Sequence, residues 1–243
     1  MWARLALIKK TLRSLSILVA VAAIAVPSRA DDVYRLLQVD GHSVKWGAPK
    51  LGMGATITYR LAASAARAGT VNCRQITPVE PLLARSRISS DTFDSTLEAA
   101  FHAWETVANV RFVRVANDKP ANLTIGAEKT PDGIAYSDVT RASSTTASIS
   151  PLQKAVICLN PYVRWTAKLA LRKQDARALG YVLMHEIGHV LGLDHPGPTG
   201  ELMSFEYSQT VRTLQAGDIA GIVSLYGAAP HRGAVALNAS THR

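Results

Sequence analysis

Residues 185–195 read HEIGHVLGLDH and place three of the chain's seven histidines within eleven residues. No other stretch constrains the fold so tightly. His185 and His189 are four apart, so on a helix they share a face and their imidazoles can converge on one ion. Glu186 then lies about 100° round the helix from His185, close enough to flank that ion without binding it. Gly192 can take a positive φ and end the helix, which lets the chain turn back and deliver His195 from another direction. Pro196 and Pro198 disfavour a renewed helix. A bare pair of histidines is better explained by ordinary hydrogen bonds on a shared face, but these five positions together would coincide by chance on the order of once in 10⁵ random sequences. Three neutral imidazoles with a fourth position open for water suit a catalytic zinc, whereas a structural zinc has all four positions filled by protein.

The helix that carries the pair is predicted over roughly Asp175 to Leu191. Leu179, Val182, Leu183, Met184, Ile187, Val190 and Leu191 cover most of its circumference, and a helix apolar nearly all round is buried in the domain centre. Its polar groups need partners there, and a metal meets that need. Gly188 and Ala178 are expected to leave room beside the ligands for an open cleft. Upstream, Thr56 to Leu61 alternates as a strand does, and residues 62–90 read as a long connection containing Cys73, Pro78 and Pro81. Phe93, Leu97, Phe101, Trp104 and Val107 or Ala108 recur at helical steps behind Asp91 as N-cap. Val110 to Val115, Asn122 to Ala127, Gly133 to Val139 and Lys154 to Leu159 are four further strands. Helices among strands in this order predict an α+β layer architecture.

Residues 1–30 carry Arg4, Lys9, Lys10 and Arg13, an apolar run from Leu15 to Val26, and Ser28-Arg29-Ala30 before Asp31. That is the pattern of a signal peptide cleaved after Ala30. An apolar run of about 12 residues falls short of the roughly 20 a membrane span needs, so no stable span is expected in the mature form. Cleavage removes the five positive charges Arg4, Lys9, Lys10, Arg13 and Arg29 and lowers the formal charge from +9 to +4. The basicity is therefore largely that of the leader, which gives no reason to expect nucleic-acid binding. An exported chain is expected in the periplasm or outside the cell, where Cys73 and Cys158 would pair as a disulfide. The rival role, one cysteine ligating zinc in a latent enzyme, lacks a cysteine-bearing segment ahead of the first strand. Residues 31–227 make one domain, with 228–243 as a disordered tail.

The eleven-residue motif is similar to HExxHxxGxxH, the signature of the metzincin zinc endopeptidases. Leu202-Met203-Ser204-Phe205-Glu206-Tyr207 resembles their Met-turn, and Leu214 to Gly227 resembles the closing helix of the matrixin subfamily. Trp46 to Tyr59 and Phe101 through Phe112 resemble its opening strand and first helix. The resemblance implies a twisted mixed sheet, a central zinc-binding helix and a C-terminal helix. It implies His185, His189 and His195 as zinc ligands, Glu186 as general base, and Met203 as an apolar floor under the metal. Phe205, Glu206 and Tyr207 would border the pocket for the residue after the scissile bond. Ala135 would sit on the edge strand that pairs with an extended protein or peptide substrate.

The departures also carry information. Tyr136 and Cys158 stand where two histidines of a second, structural zinc would be sought in animal matrixins, so one zinc is expected. Asp132 and Asp138 could contribute to a calcium site, although turn carboxylates are more often merely solvated. Phe205 replaces a proline and Pro196 a serine of the subfamily pattern, and only about 15 residues separate Ala30 from Trp46, too few for an inhibitory prodomain. The sequence therefore predicts an exported zinc endopeptidase. The alternative is an exported zinc-binding interaction protein without useful turnover, against which an intact Glu186 argues.

Overall fold

The structure, a computed structural model, describes residues 34–130, 133–143, 148–168, 176–207 and 211–230. The predicted leader, Asp132 and residues 231–243 of the predicted tail lie outside the described residues. Three short strands come first: β1 (Arg35–Leu36), β2 (Gln38–Val39) and β3 (His42–Lys45), ahead of β4 (Ala55–Leu61). The stretch 62–90, expected as a connection, contains the antiparallel pair β5 (Ala66–Arg67) and β6 (Gln75–Thr77) and a helix, α1 (Glu80–Ser86). Pro81 sits in the first turn of α1, where the N–H groups have no helical partner to lose.

Helix α2 (Ser90–Glu105) buries Phe93, Leu97, Phe101 and Trp104, the positions expected from their spacing. Its N-cap is Ser89 and not Asp91: Ser89 has extended backbone and its Oγ accepts from Thr92 N at 3.1 Å. Strands β7 (Val110–Arg114), β8 (Leu123–Glu128), β9 (Ala135–Arg141) and β10 (Ile149–Leu159) follow, then β11 (Arg164–Thr166) and β12 (Ala176–Ala178). Helix α3 (Leu179–Val190), β13 (Leu193–Asp194) and α4 (Ala216–Tyr226) complete the chain. Helix α3 starts later than the predicted Asp175 because Ala176–Ala178 pairs in parallel with Arg164–Thr166. Strand pairing from a distant segment overrides the helical preference of Ala and Arg there.

The main sheet runs β2-β3-β10-β8-β4-β7, with β6 on β8 and β9 on β10. Strands β3, β10, β8, β4 and β7 are mutually parallel, while β9 runs antiparallel to β10 with Ala135 opposite Leu159 and Ser137 opposite Ile157. Among the described residues β9 pairs only with β10. Helix α2 lies on the sheet, where Phe101 stacks on Phe112 at 4.1 Å. It is tied to α3 by Trp104 Nε1, which donates to Met184 O at 3.0 Å. Leu179, Leu183, Ile187 and Val190 are fully buried, which makes α3 the central rod of the domain.

Both ends of the rod's exit are fastened. Gly192 has φ +100, and a Cβ there would overlap Val44 O, so only glycine fits the turn on two counts. Strand β1 pairs with β13, and Leu37 N donates to Gly192 O at 2.8 Å. Trp46 Nε1 donates to Val190 O at 2.8 Å, while Tyr226 OH accepts from Trp46 N at 2.9 Å and donates to Leu191 O at 2.8 Å. Beside them the fully buried Lys45 gives its three ammonium protons to Trp46 O, Ala48 O and Met53 O, 4.8 Å from the Tyr226 ring centre. Burial lowers its pKa to about 8. Tyr226→Phe removes a buried acceptor and donor at once, so it should cost about 1–3 kcal/mol. A lowered denaturation midpoint at unchanged m-value is the measurement that checks this.

Candidate metal centre

His185 and His189 project from one face of α3, and His195 arrives after the Gly192 turn; their three Nε2 atoms lie 3.1–3.2 Å from one another. Each helical imidazole is oriented from behind. His185 Nδ1 faces Leu202 O at 2.8 Å and His189 Nδ1 faces Leu193 O at 2.8 Å. A carbonyl can only accept, so both Nδ1 atoms carry the proton and both Nε2 atoms of the neutral rings present lone pairs. Burial holds all three imidazoles below the usual histidine pKa, His189 down to about 3, with the neighbouring histidines adding to the effect on His189 and His195. Lone pairs facing each other at this distance repel unless a cation lies between them. Three nitrogens each about 2.0–2.1 Å from one centre at tetrahedral angles lie roughly 3.3–3.4 Å apart. The donor set therefore fits a zinc ion in dimension, and the two helical imidazoles fit it in tautomer as well.

Behind His185 stands a relay that starts in α4. The carboxylate of Asp218, buried at 1 % exposure, accepts from Leu202 N at 2.9 Å, Met203 N at 3.0 Å and Gln215 N at 2.7 Å. One side chain thus caps its own helix and holds the turn whose carbonyl orients His185. Met203 is buried with its sulfur against Gly188, where a Cβ would overlap Sδ and meet Trp104 Cζ2 at 3.0 Å. The space that Gly188 leaves is filled by Met203 and Trp104 and does not open into the cleft. Ala178 is buried at the start of α3 with its N–H on Tyr207 OH at 3.0 Å. Gly188→Ala should destabilise the protein by about 1–3 kcal/mol through overpacking, read as a drop in melting temperature with zinc present and absent.

Glu186 is buried and lines the same cavity as the three histidines. Desolvation raises its carboxyl pKa to about 7, opposed by a hydrogen bond from Ser137. Ser137 Oγ lies 2.5 Å from Glu186 Oε2 and 3.0 Å from Glu186 O. These groups open on a cavity of about 490 Å³ walled by Ala135, Ser137, Tyr181, Val182, Phe205 and Tyr207 with the three histidines. Tyr207 is held by Ala178 N, by the Tyr181 ring at 4.9 Å and by the Arg177 guanidinium at 4.9 Å. Of the residues expected around this pocket, Ala135, Phe205 and Tyr207 line it, whereas Glu206 is exposed and is not among its walls.

Cys73 and Cys158 form a disulfide with Cα atoms 6.0 Å apart. Cys158 faces Tyr136 across β9 and β10, so the bridge fastens the loop before β6 to the sheet beside the cavity. Asp138, expected as a possible calcium ligand, has its carboxylate engaged instead by Asn72 N at 2.8 Å, Asn72 Nδ2 at 2.8 Å and Cys73 N at 2.9 Å. Ser137 and Asp218 were not anticipated from the sequence. The spacing of Gln215 and Asp218 is that of a capping box and carried a signal for Asp218; a lone serine on a strand carried none.

The sequence profile of the matrixin family matches residues 81–227, which include the whole of α2, the main-sheet strands after it, and the three histidines. The chain is 25% identical over 146 residues to the probable matrix metalloproteinase 095L of Invertebrate iridescent virus 3, covering 59% of this chain and 40% of that one. It is 29% identical over 149 residues to Metalloendoproteinase 1-MMP of Arabidopsis thaliana, covering 59% and 40%. With Metalloendoproteinase 1 of Glycine max the identity is 28% over 170 residues, covering 68% and 53%. The chain thus spans about half or less of the length of these relatives.

Proposed function

Because the chain belongs to the matrixin family, we propose that it is an exported zinc endopeptidase in which His185, His189 and His195 hold the ion and Glu186 is the general base. The observation that carries this is the convergence of three imidazole Nε2 atoms at 3.1–3.2 Å, two of them on rings whose Nδ1 faces a carbonyl, with a buried carboxylate in the same cavity beside β9, which among the described residues pairs on one side only. A zinc ion held there would supply Lewis acidity, acidifying water to a pKa of about 7 and polarising the scissile carbonyl. Glu186 takes the proton from the attacking water and returns it to the departing amine nitrogen. Its Oε2 is engaged by Ser137, which leaves Oε1 for that transfer. An extended substrate adds as a strand along β9 near Ala135, and the Tyr181, Val182 and Tyr207 walls receive an apolar side chain after the scissile bond.

Export rests on the signal pattern ending at Ala30 and on the Cys73–Cys158 disulfide, which persists in an oxidising compartment. No helix among the described residues is long and apolar enough to cross a membrane. The domain is residues 31–227 in this scheme. Purified mature protein should cleave an unfolded protein such as casein, and a zinc chelator should abolish the cleavage. Inactivity on every unfolded protein tried, with zinc bound, would favour a binding protein instead.

A further inference from the structure

We propose that Ser137 is the positioning residue of the general base, holding the Glu186 carboxylate so that one oxygen faces the cavity; this rests on the assignment of Glu186 above. The two side chains come from different layers, β9 of the sheet and the central helix α3, so nothing local dictates that they meet. They meet closely. The 2.5 Å separation of Ser137 Oγ from Glu186 Oε2 is that of a short, strong hydrogen bond between hydroxyl and carboxyl group. The same Oγ lies 3.0 Å from Glu186 O, so it touches both ends of the residue and fixes the side chain relative to its own backbone.

A hydroxyl can do this only if its strand does not move, and both of its chain neighbours are fastened. Tyr136 lies opposite Cys158, whose disulfide to Cys73 ties β10 to the preceding loop. Asp138 receives Asn72 N, Asn72 Nδ2 and Cys73 N from that loop. The cross-link and the three hydrogen bonds thus bracket Ser137 on a strand that, among the described residues, pairs with β10 alone. The bracket makes the strand a rigid reference for the base, and Ser137 transmits that rigidity to the carboxylate. Without the hydroxyl, a glutamate side chain with three rotatable bonds has other staggered positions available in a cavity of about 490 Å³. Only a fraction of molecules would then present the carboxylate to the reacting water.

The test compares the zinc-loaded mature chain with Ser137→Ala and Ser137→Thr, with Glu186→Gln as reference. Ser137→Ala should lower kcat by about 10- to 100-fold with KM, zinc content and melting temperature near parent values. Ser137→Thr keeps the hydroxyl on a strand-favouring residue and should recover most of the lost kcat. In crystals of zinc-free Ser137→Ala, Glu186 should occupy more than one rotamer, a readout independent of turnover. Parent-like kcat in Ser137→Ala, a Ser137→Thr as slow as the alanine variant, or a single unshifted Glu186 rotamer would each overturn the positioning role. If Glu186→Gln is inactive while Ser137→Ala is parent-like, the positioning role alone fails. If Glu186→Gln itself cleaves at the parent rate, the base is misassigned and both proposals fall together.

Discussion

Glu186→Gln should reduce peptide cleavage by at least about 10²- to 10⁴-fold, the usual contribution of a general base, while zinc content and melting temperature stay at parent values. The separation follows from where the residue sits. Glu186 is one position after His185, and its carboxylate is engaged by Ser137 while the three Nε2 atoms converge on one another. Glutamine has the same length and can still accept from Ser137 Oγ through its carbonyl, so packing survives. An amide has no basicity near neutral pH and cannot take a proton from water. Metal analysis and a cleavage assay on the same preparation distinguish the two properties. A variant that keeps zinc and cleaves like the parent would remove Glu186 from the mechanism.

His189→Ala should strip most of the zinc and with it all measurable cleavage. His189 Nε2 lies 3.2 Å from His185 Nε2 and 3.1 Å from His195 Nε2, so its loss leaves two nitrogens, too few for a tight catalytic zinc site. Removing the ring also frees Leu193 O, which it faces at 2.8 Å, and so loosens the segment leading to His195. The parent should carry close to one equivalent of zinc after gel filtration, and the variant little. Full occupancy in the variant would show that the ligand set is wrong; two equivalents in the parent would reveal a second metal site.

The parts of this protein legible in the sequence are those in which spacing along the chain equals proximity in space. His185 and His189 are neighbours on any helix, and Gly192 announces the turn that returns His195. The amphipathic repeat of Phe93, Leu97, Phe101 and Trp104 marks its helix because side chains one turn apart must share a face. Strand β4 was readable from its alternation, and β7, β8 and β9 as short runs between turns rich in Pro, Gly, Ser or Thr, to within a few residues at their ends. The α+β class and the spacing of the three histidines therefore followed from local pattern alone, whereas the mixed sheet and closing helix were expected from the family resemblance.

Only the tertiary structure decided what stands behind those residues. Whether Ala176–Ala178 is helix or strand depends on Arg164–Thr166 lying alongside, and whether Gly188 opens a cleft or receives a sulfur depends on where Met203 returns. Lys45 is buried because three carbonyls from residues 46–53 close round its ammonium. Asp218 reaches His185 through Leu202, and Ser137 reaches Glu186 across two layers. The Asp218 and Ser137 contacts are hydrogen bonds between groups 16 and 49 residues apart in the chain, and such a bond has no period. The metal-binding pattern is local because a helix turn matches the spacing its imidazoles need, whereas the orientation of imidazole and carboxylate is imposed by elements that only folding brings alongside.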